Sequence, residues 1–329
     1  MKKSISLYLF CSVFLLLSIN AFGQRGRYAG KFTKKKRYWS VGLAANSINY
    51  FGDIVPKNNL ASFDIEFTRP NVGLFVQRRI FPAVTLRLNA AWGQMAGSDL
   101  RTSDPEDLET GGYYRYRRNL HFRNTIYELS STIIYDFVKN PSLSYRRPDM
   151  PIPYALAGVG VFYHNPQAIR PEGFSGTEWV DLRPLKTENQ VTPYAPIGIS
   201  VPVGIGVRYR LSRKVDVAFE MAYRFTFTDY LDDVSGDYLD PAEFSDDLAR
   251  ALHDRSAEPI DMMSGEARIP EVLGEVIDYT SPIDGRTYRS INGYGMPNNF
   301  RGASDNDAYL ITGFQISYIF STTRAPKFR

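Results

Sequence analysis

A chain of 329 residues with 39 basic against 35 acidic side chains carries a formal charge of only +4, which argues against a nucleic-acid binder. Its single cysteine, Cys11, lies in an apolar N-terminal run, so the rest of the chain has neither a disulfide framework nor a cysteine metal site. After that run no stretch offers the ~18 consecutive apolar residues of a membrane helix, so any membrane location requires a closed β-barrel.

Lys2 and Lys3, the run from Ile5 to Ile19 and the small-residue site Ala21-Phe22-Gly23 read as a secretory signal peptide over 1–23. A basic periplasmic segment, 24–37, follows, ending in Lys34, Lys35, Lys36 and Arg37. From Tyr38 the chain alternates: Trp39, Val41, Leu43 and Ala45 against Ser40, Gly42, Ala44 and Asn46 predict a first strand to about Tyr50. A second strand is expected over about Val72–Ile80, returning tightly through Phe81-Pro82-Ala83 into a third that opens with Val84, Leu86 and Leu88. Residues 97–119 are polar, acidic and broken by Gly111-Gly112, hence a long loop.

A fourth strand is expected from about Leu120 to Phe137 and a fifth, of ambiguous facing, over Tyr154–Tyr163. After a loop over 164–197, Ile199 to Leu211 reads as a sixth strand whose first half is weakened by Pro202. The seventh is the clearest: Val215, Val217, Phe219, Met221, Tyr223, Phe225 and Phe227 form one apolar face. It runs into the longest loop, 229–306, where Asp240-Pro241-Ala242-Glu243 predicts a capped helix leading to Phe244, Leu248 and Leu252. The last strand spans about Ala308–Phe320.

Long connections (about 52–71, 97–119, 164–197 and 229–306) alternate with short ones. That asymmetry predicts an all-β fold, an eight-stranded antiparallel up-and-down outer-membrane β-barrel over 38–321, with long extracellular loops, both termini periplasmic and a tail at 322–329. Alternation alone does not say which face is inside, and a soluble lipocalin-like barrel would line its interior with the apolar set. Strand length, aromatics near strand ends and loop asymmetry favour lipid on the apolar face, with 22 Tyr and 21 Phe available for interfacial girdles.

With polar faces inward, Arg87, Glu128, Asp136, Arg208, Asp216, Glu220 and Arg224 are expected to form a mixed-sign network filling a narrow lumen. Asp229, Asp232, Asp233 and Asp237 are weak calcium candidates, their spacing departing from an EF-hand loop; a solvated acidic loop is the expected alternative. None of His121, His164 and His253 has a nucleophile motif beside it, so neither an enzyme nor a cofactor is expected. The helix in the last loop is expected to pack over the barrel mouth or to dock a protein.

An opening strand ending Asn49-Tyr50-Phe51-Gly52-Asp53 and the late stretch from Glu220 to Gly236, with Thr228-Asp-Tyr-Leu-Asp-Asp-Val-Ser-Gly236 the more specific part, resemble the PorG family. These are small outer-membrane barrels of the type IX secretion system in Bacteroidetes-type bacteria. The resemblance implies a structural part that ties the periplasmic ring of PorK and PorN to the outer membrane. In this chain the periplasmic contacts would be Lys34, Lys35, Lys36, Arg37, Arg146, Arg147, Arg213 and Lys214, a basic set suited to an acidic or anionic surface. A related barrel whose external loops bind a ligand or surface, for transport or adhesion, is the other expectation.

Overall fold

The computed structural model describes residues 32–55, 67–109, 111–291, 297 and 299–320. The expected signal peptide, most of the basic segment 24–37, residues 56–66 of the first loop and the tail 322–329 lie outside the described residues. In chain order the strands are β1 (Trp39–Phe51), β2 (Arg69–Arg79), β3 (Val84–Ser98), β4 (His121–Asp136), β5 (Ile152–Tyr163), β6 (Pro166–Ile169), β7 (Trp179–Asp181), β8 (Ile197–Arg210), β9 (Val215–Thr226), β10 (Val276–Thr280), β11 (Thr287–Ile291) and β12 (Ala308–Phe320).

Eight of these close a barrel. Each long strand pairs antiparallel with its neighbour in the order β1-β2-β3-β4-β5-β8-β9-β12, and β12 returns to β1 with Trp39 opposite Phe320 and Phe51 opposite Ala308. Closure leaves no sheet edge in the wall. Pro202 does not end β8, which pairs with β9 across it, but the β5 ladder lapses between Ala157–Val203 and Gly160–Ser200 because proline has no N–H to donate.

The alternation is resolved by burial. On β4, Tyr127, Leu129, Ile133 and Tyr135 are exposed, while Ile126, Glu128, Ser130, Thr132, Ile134 and Asp136 are buried. On β5, Ile152, Tyr154, Leu156 and Phe162 point inward and Val159, Val161 and Tyr163 outward. The outer wall is thus an apolar belt. Trp39, Tyr135, Tyr209 and Tyr318 ring the short-turn end, and Trp92, Tyr127, Tyr163 and Phe225 the long-loop end. From Tyr127 to Tyr135 the strand rises about 26 Å at 3.3 Å per residue, or roughly 20 Å of depth after tilting, close to the band of outer-membrane barrels.

The long connections build a folded cap. β6 extends the sheet from β4 and pairs with β7, β10 and β11 form a separate hairpin, and short helices occupy Asp99–Thr102 and Gly112–Arg118 within what reads as a polar loop. The expected helix from Asp240 is corrected: Asp240 caps only a single turn over Pro241–Glu243, and Phe244 is extended (φ −85°, ψ 124°). The helix starts afresh at Asp247–His253, where Asp246 accepts the hydrogen bond from Leu248 N. Two aspartates compete as caps, and the second faces the longer apolar repeat.

Candidate functional site: a sealed lumen, a folded cap and a basic rim

The lumen carries three tiers of ion pairs. At the short-turn end, Asp136 accepts from both Arg79 and Arg208, and all three are buried. One tier further in, Arg87 meets Glu220 at 2.7 Å and Tyr154 donates to the same carboxylate at 2.9 Å, with the Arg87 guanidinium over the Phe75 ring. Above these, Glu128 lies 3.5 Å from Arg224 and accepts from Tyr309 at 2.5 Å. Each buried charge thereby meets its opposite, the condition for holding charges in so narrow a space. Arg79 was missed from the sequence, although it continues the inward phase of Phe75 and Gln77.

A cavity beside Tyr38, Arg79, Arg147, Arg208 and Asp216 holds only about 10 Å³, room for one water at most. Above the ion pairs an apolar layer closes the barrel: Ile48, Phe122, Ile126, Phe162 and Ile311 from the wall pack with Leu231 and Val234 from the last long connection. Side chains therefore fill this interior from turn end to cap.

The stretch Thr228–Gly236 lies at the centre of the cap. Leu231 N donates to Asp307 Oδ2 (2.9 Å), Leu231 O accepts from Asn124 of β4 (2.7 Å), and Asp232 Oδ2 accepts from Ile54 N (3.3 Å). Asp233 accepts from Thr187 and from Tyr194 (2.6 Å), Ser235 N donates to Glu188 (2.7 Å), and Arg301, bonded to Glu188 at 2.5 Å, also donates to Asp233 O. One nine-residue motif thus ties together the first, third and last long connections and the wall. A second tie runs through Arg118, which holds Asp99 with two bonds (2.8 and 2.7 Å) and donates to the carbonyls of Asp53 and Arg301.

This corrects the expectation of a solvated acidic loop. Asp232 and Asp233 are each 1% exposed. The four aspartates do not converge: Asp232 turns to Tyr50, Asp233 to Thr187 and Tyr194, and Asp237 is exposed with its backbone bridged to Phe300. Among the described residues no group of three or more potential metal ligands gathers. Asp229 is only partly buried. The Tyr50 hydroxyl lies 2.7 Å from Asp232 and 2.8 Å from Asp307. One phenolic proton cannot serve both bonds, so one carboxyl donates its own, in keeping with burial raising both well above the ordinary carboxyl range, helped by the charge of Asp53 on Asp232 and of Asp232 on Asp307.

The histidines lock loops. His253 Nε2 accepts from Leu239 N while Nδ1 faces Thr187 O, His121 Nε2 accepts from Ile169 N, and His164 Nε2 bonds Ala195 O. Burial drives His121 and His253 well below the ordinary imidazole value and takes His164 down to about 4, so all three are neutral near pH 7. Tyr194 stacks between His164 and Tyr230, 4.5 Å from the latter.

At the short-turn end the expected contact set divides. Lys34, Lys35, Arg146, Arg213 and Lys214 are exposed, and Lys36 and Arg37 half-buried. Arg147 is corrected: it is 6% exposed, with its guanidinium on Asp216 (2.7 Å) and the carbonyls of Ser144, Ser212 and Arg213. Asp216 needs a counter-charge inside the barrel, and the proline-rich turn folds back to supply it.

Fold, belt and packed interior together define a small eight-stranded barrel of the outer-membrane type, closed by its own loops. The family described as "Domain of unknown function (DUF6089)" matches residues 30–244, most of the chain, and the chain belongs to that family. No curated protein matches the chain. Among solved structures the fold is similar to that of Ail, the attachment invasion locus protein of Yersinia pestis (7% identity, 87% of this chain and 99% of that one, TM-score 0.34). It is also similar to Neisserial surface protein A (11%, 87% and 97%, 0.33) and to a major outer membrane protein from Thermus thermophilus (11%, 86% and 99%, 0.36). Likenesses this distant concern the barrel alone.

Proposed function

We propose that the protein is a non-enzymatic structural component of the outer membrane that anchors the periplasmic ring of the type IX secretion system, of PorK and PorN type, to the membrane. The observation carrying this reading is the contrast between a lumen packed with paired charges and a short-turn end presenting exposed basic side chains that have no carboxylate partner among the described residues. A filled barrel suits an anchor better than a conduit, and Lys34, Lys35, Arg146 and Arg213 offer an exposed surface to an acidic partner. The secretion-system assignment itself rests on the resemblance of the 49–53 and 220–236 motifs to PorG. No cofactor enters this reading, and the dispersed aspartates of the cap give calcium no shared site.

Deleting the gene and following secretion of C-terminally tagged cargo tests it: the expected result is their retention, with rescue by the wild-type chain. Rescue should fail with Arg146→Glu/Arg213→Glu although the protein still shifts on a semi-native gel when boiled. Normal secretion in the deletion strain would remove the proposal. The closely tied cap favours a second reading, in which the external loops present a fixed surface to a ligand; an adhesion or uptake defect with normal secretion would select it.

A further inference from the structure

On the outer wall, at the short-turn end of β1 to β3, a groove of about 430 Å³ is lined by Arg37, Trp39, Val76, Arg78, Leu86 and Leu88. It runs on, past Val76 and Leu88, into an apolar furrow of about 650 Å³ that continues towards mid-wall over Leu74 and Ala90. The furrow exists because the outward phase places Ala45 and Ala90 where neighbouring positions carry Leu43, Leu74 and Trp92. Its length and lining suit a hydrocarbon chain, and its mouth is cationic.

Two guanidinium groups stand at that mouth with no carboxylate on either among the described residues. Arg78 lies over the Trp39 ring, 5.0 Å from its centroid, and has no ion-pair partner among the described residues. Arg37 Nε is shielded from solvent and lacks a hydrogen-bond partner among the described residues. A shielded N–H donor beside a second free guanidinium calls for an acceptor anion, and phosphate geometry suits paired guanidinium donors. The indole beneath Arg78 sits where headgroup meets chain, the usual depth for Trp at a membrane interface.

We propose that this groove binds one anionic glycerophospholipid of the periplasmic leaflet, its phosphate on Arg37 and Arg78 and one acyl chain along Val76, Leu88 and Ala90. The site rests on the reading of the apolar belt as lipid-facing and is independent of the secretion assignment. It separates the basic residues into two groups: Arg37 and Arg78 for lipid, and Lys34, Lys35, Arg146 and Arg213 for protein.

Native mass spectrometry of the full chain, folded in detergent micelles doped with phosphatidylglycerol, tests the site. A heat-shifted gel band serves as folding control. The wild type should retain one phosphatidylglycerol per chain. Retention should fall about tenfold or more in Arg37→Gln/Arg78→Gln, as expected for losing two cationic contacts with an anionic headgroup. Ala90→Trp, which fills the furrow and leaves both arginines, should also lower retention. Lys34→Gln/Lys35→Gln should leave it unchanged while weakening capture of ring proteins. Equal retention by wild type and both groove variants would overturn the site and leave the barrel reading intact. A chain with no heat-shifted band that stays soluble without detergent would overturn the membrane reading and the site with it.

Discussion

Asp233 is the residue through which pH reaches the cap. Burial pushes its carboxyl up to about 7, against hydrogen bonds from Thr187 and Tyr194 and the nearby Arg301, all of which lower it. A carboxyl raised above its unfolded value of 3.8 adds stability to the folded cap while protonated. That contribution is complete below the unfolded value and is lost as pH rises through about 7. His164, taken down to about 4, acts oppositely at lower pH, so the comparison must be with a variant. Asp233→Asn should remove the carboxyl contribution. Wild-type cap stability relative to the variant, followed by hydrogen exchange at residues 228–236, should decline between about pH 4 and 7 by up to ~1.4 kcal/mol per unit. A flat difference would contradict the buried placement. In the lumen, Asp136 is the carboxylate that both Arg79 and Arg208 contact. Asp136→Ala should therefore cost about 3–5 kcal/mol, read as a lowered urea midpoint at unchanged slope, because two guanidinium groups lose their partner. Inward phase made Arg87, Glu128 and Glu220 legible from sequence. Arg147 was not, because a proline-rich turn has no period to say which way it points.

At the scale of elements, every long strand was legible to within about three residues at its ends, because period-two alternation over eleven or more residues has few competing readings. The cap was legible only in fragments. Its helices over Asp99–Thr102, Gly112–Arg118 and Asp247–His253 are too short to show a helical face, and their stability comes from side chains distant in sequence, such as Asp99 holding Arg118. The acidic motif after β9 reads as solvated loop because clustered aspartates usually are; what satisfies the buried Asp232 and Asp233 is a set of hydroxyl and amide donors from β1 and from the first and third long connections. The wall makes its own prediction. Leu129 is 50% exposed in the middle of β4. Leu129→Arg should cost about 1–3 kcal/mol when the barrel is refolded into bilayers, as for a charge between the interface and the midplane. A soluble barrel would tolerate an exposed arginine there with almost no change in its urea midpoint.

For the whole molecule, the two ends differ in construction: one is a cap knit by buried polar ties, the other a set of shorter turns presenting exposed basic side chains. The barrel between them places these ends on opposite sides of one membrane. After removal of the expected signal peptide the chain has no cysteine, so single-cysteine labelling has no background. The most direct measurement places one cysteine at Glu172 in the cap or at Arg213 in a short turn, both exposed, and treats intact cells with a bulky maleimide that does not cross the outer membrane. Glu172→Cys should label in intact cells and Arg213→Cys only after the envelope is opened. Equal labelling of both positions, or protection of both until lysis, would contradict a barrel that spans the outer membrane with its basic end inside.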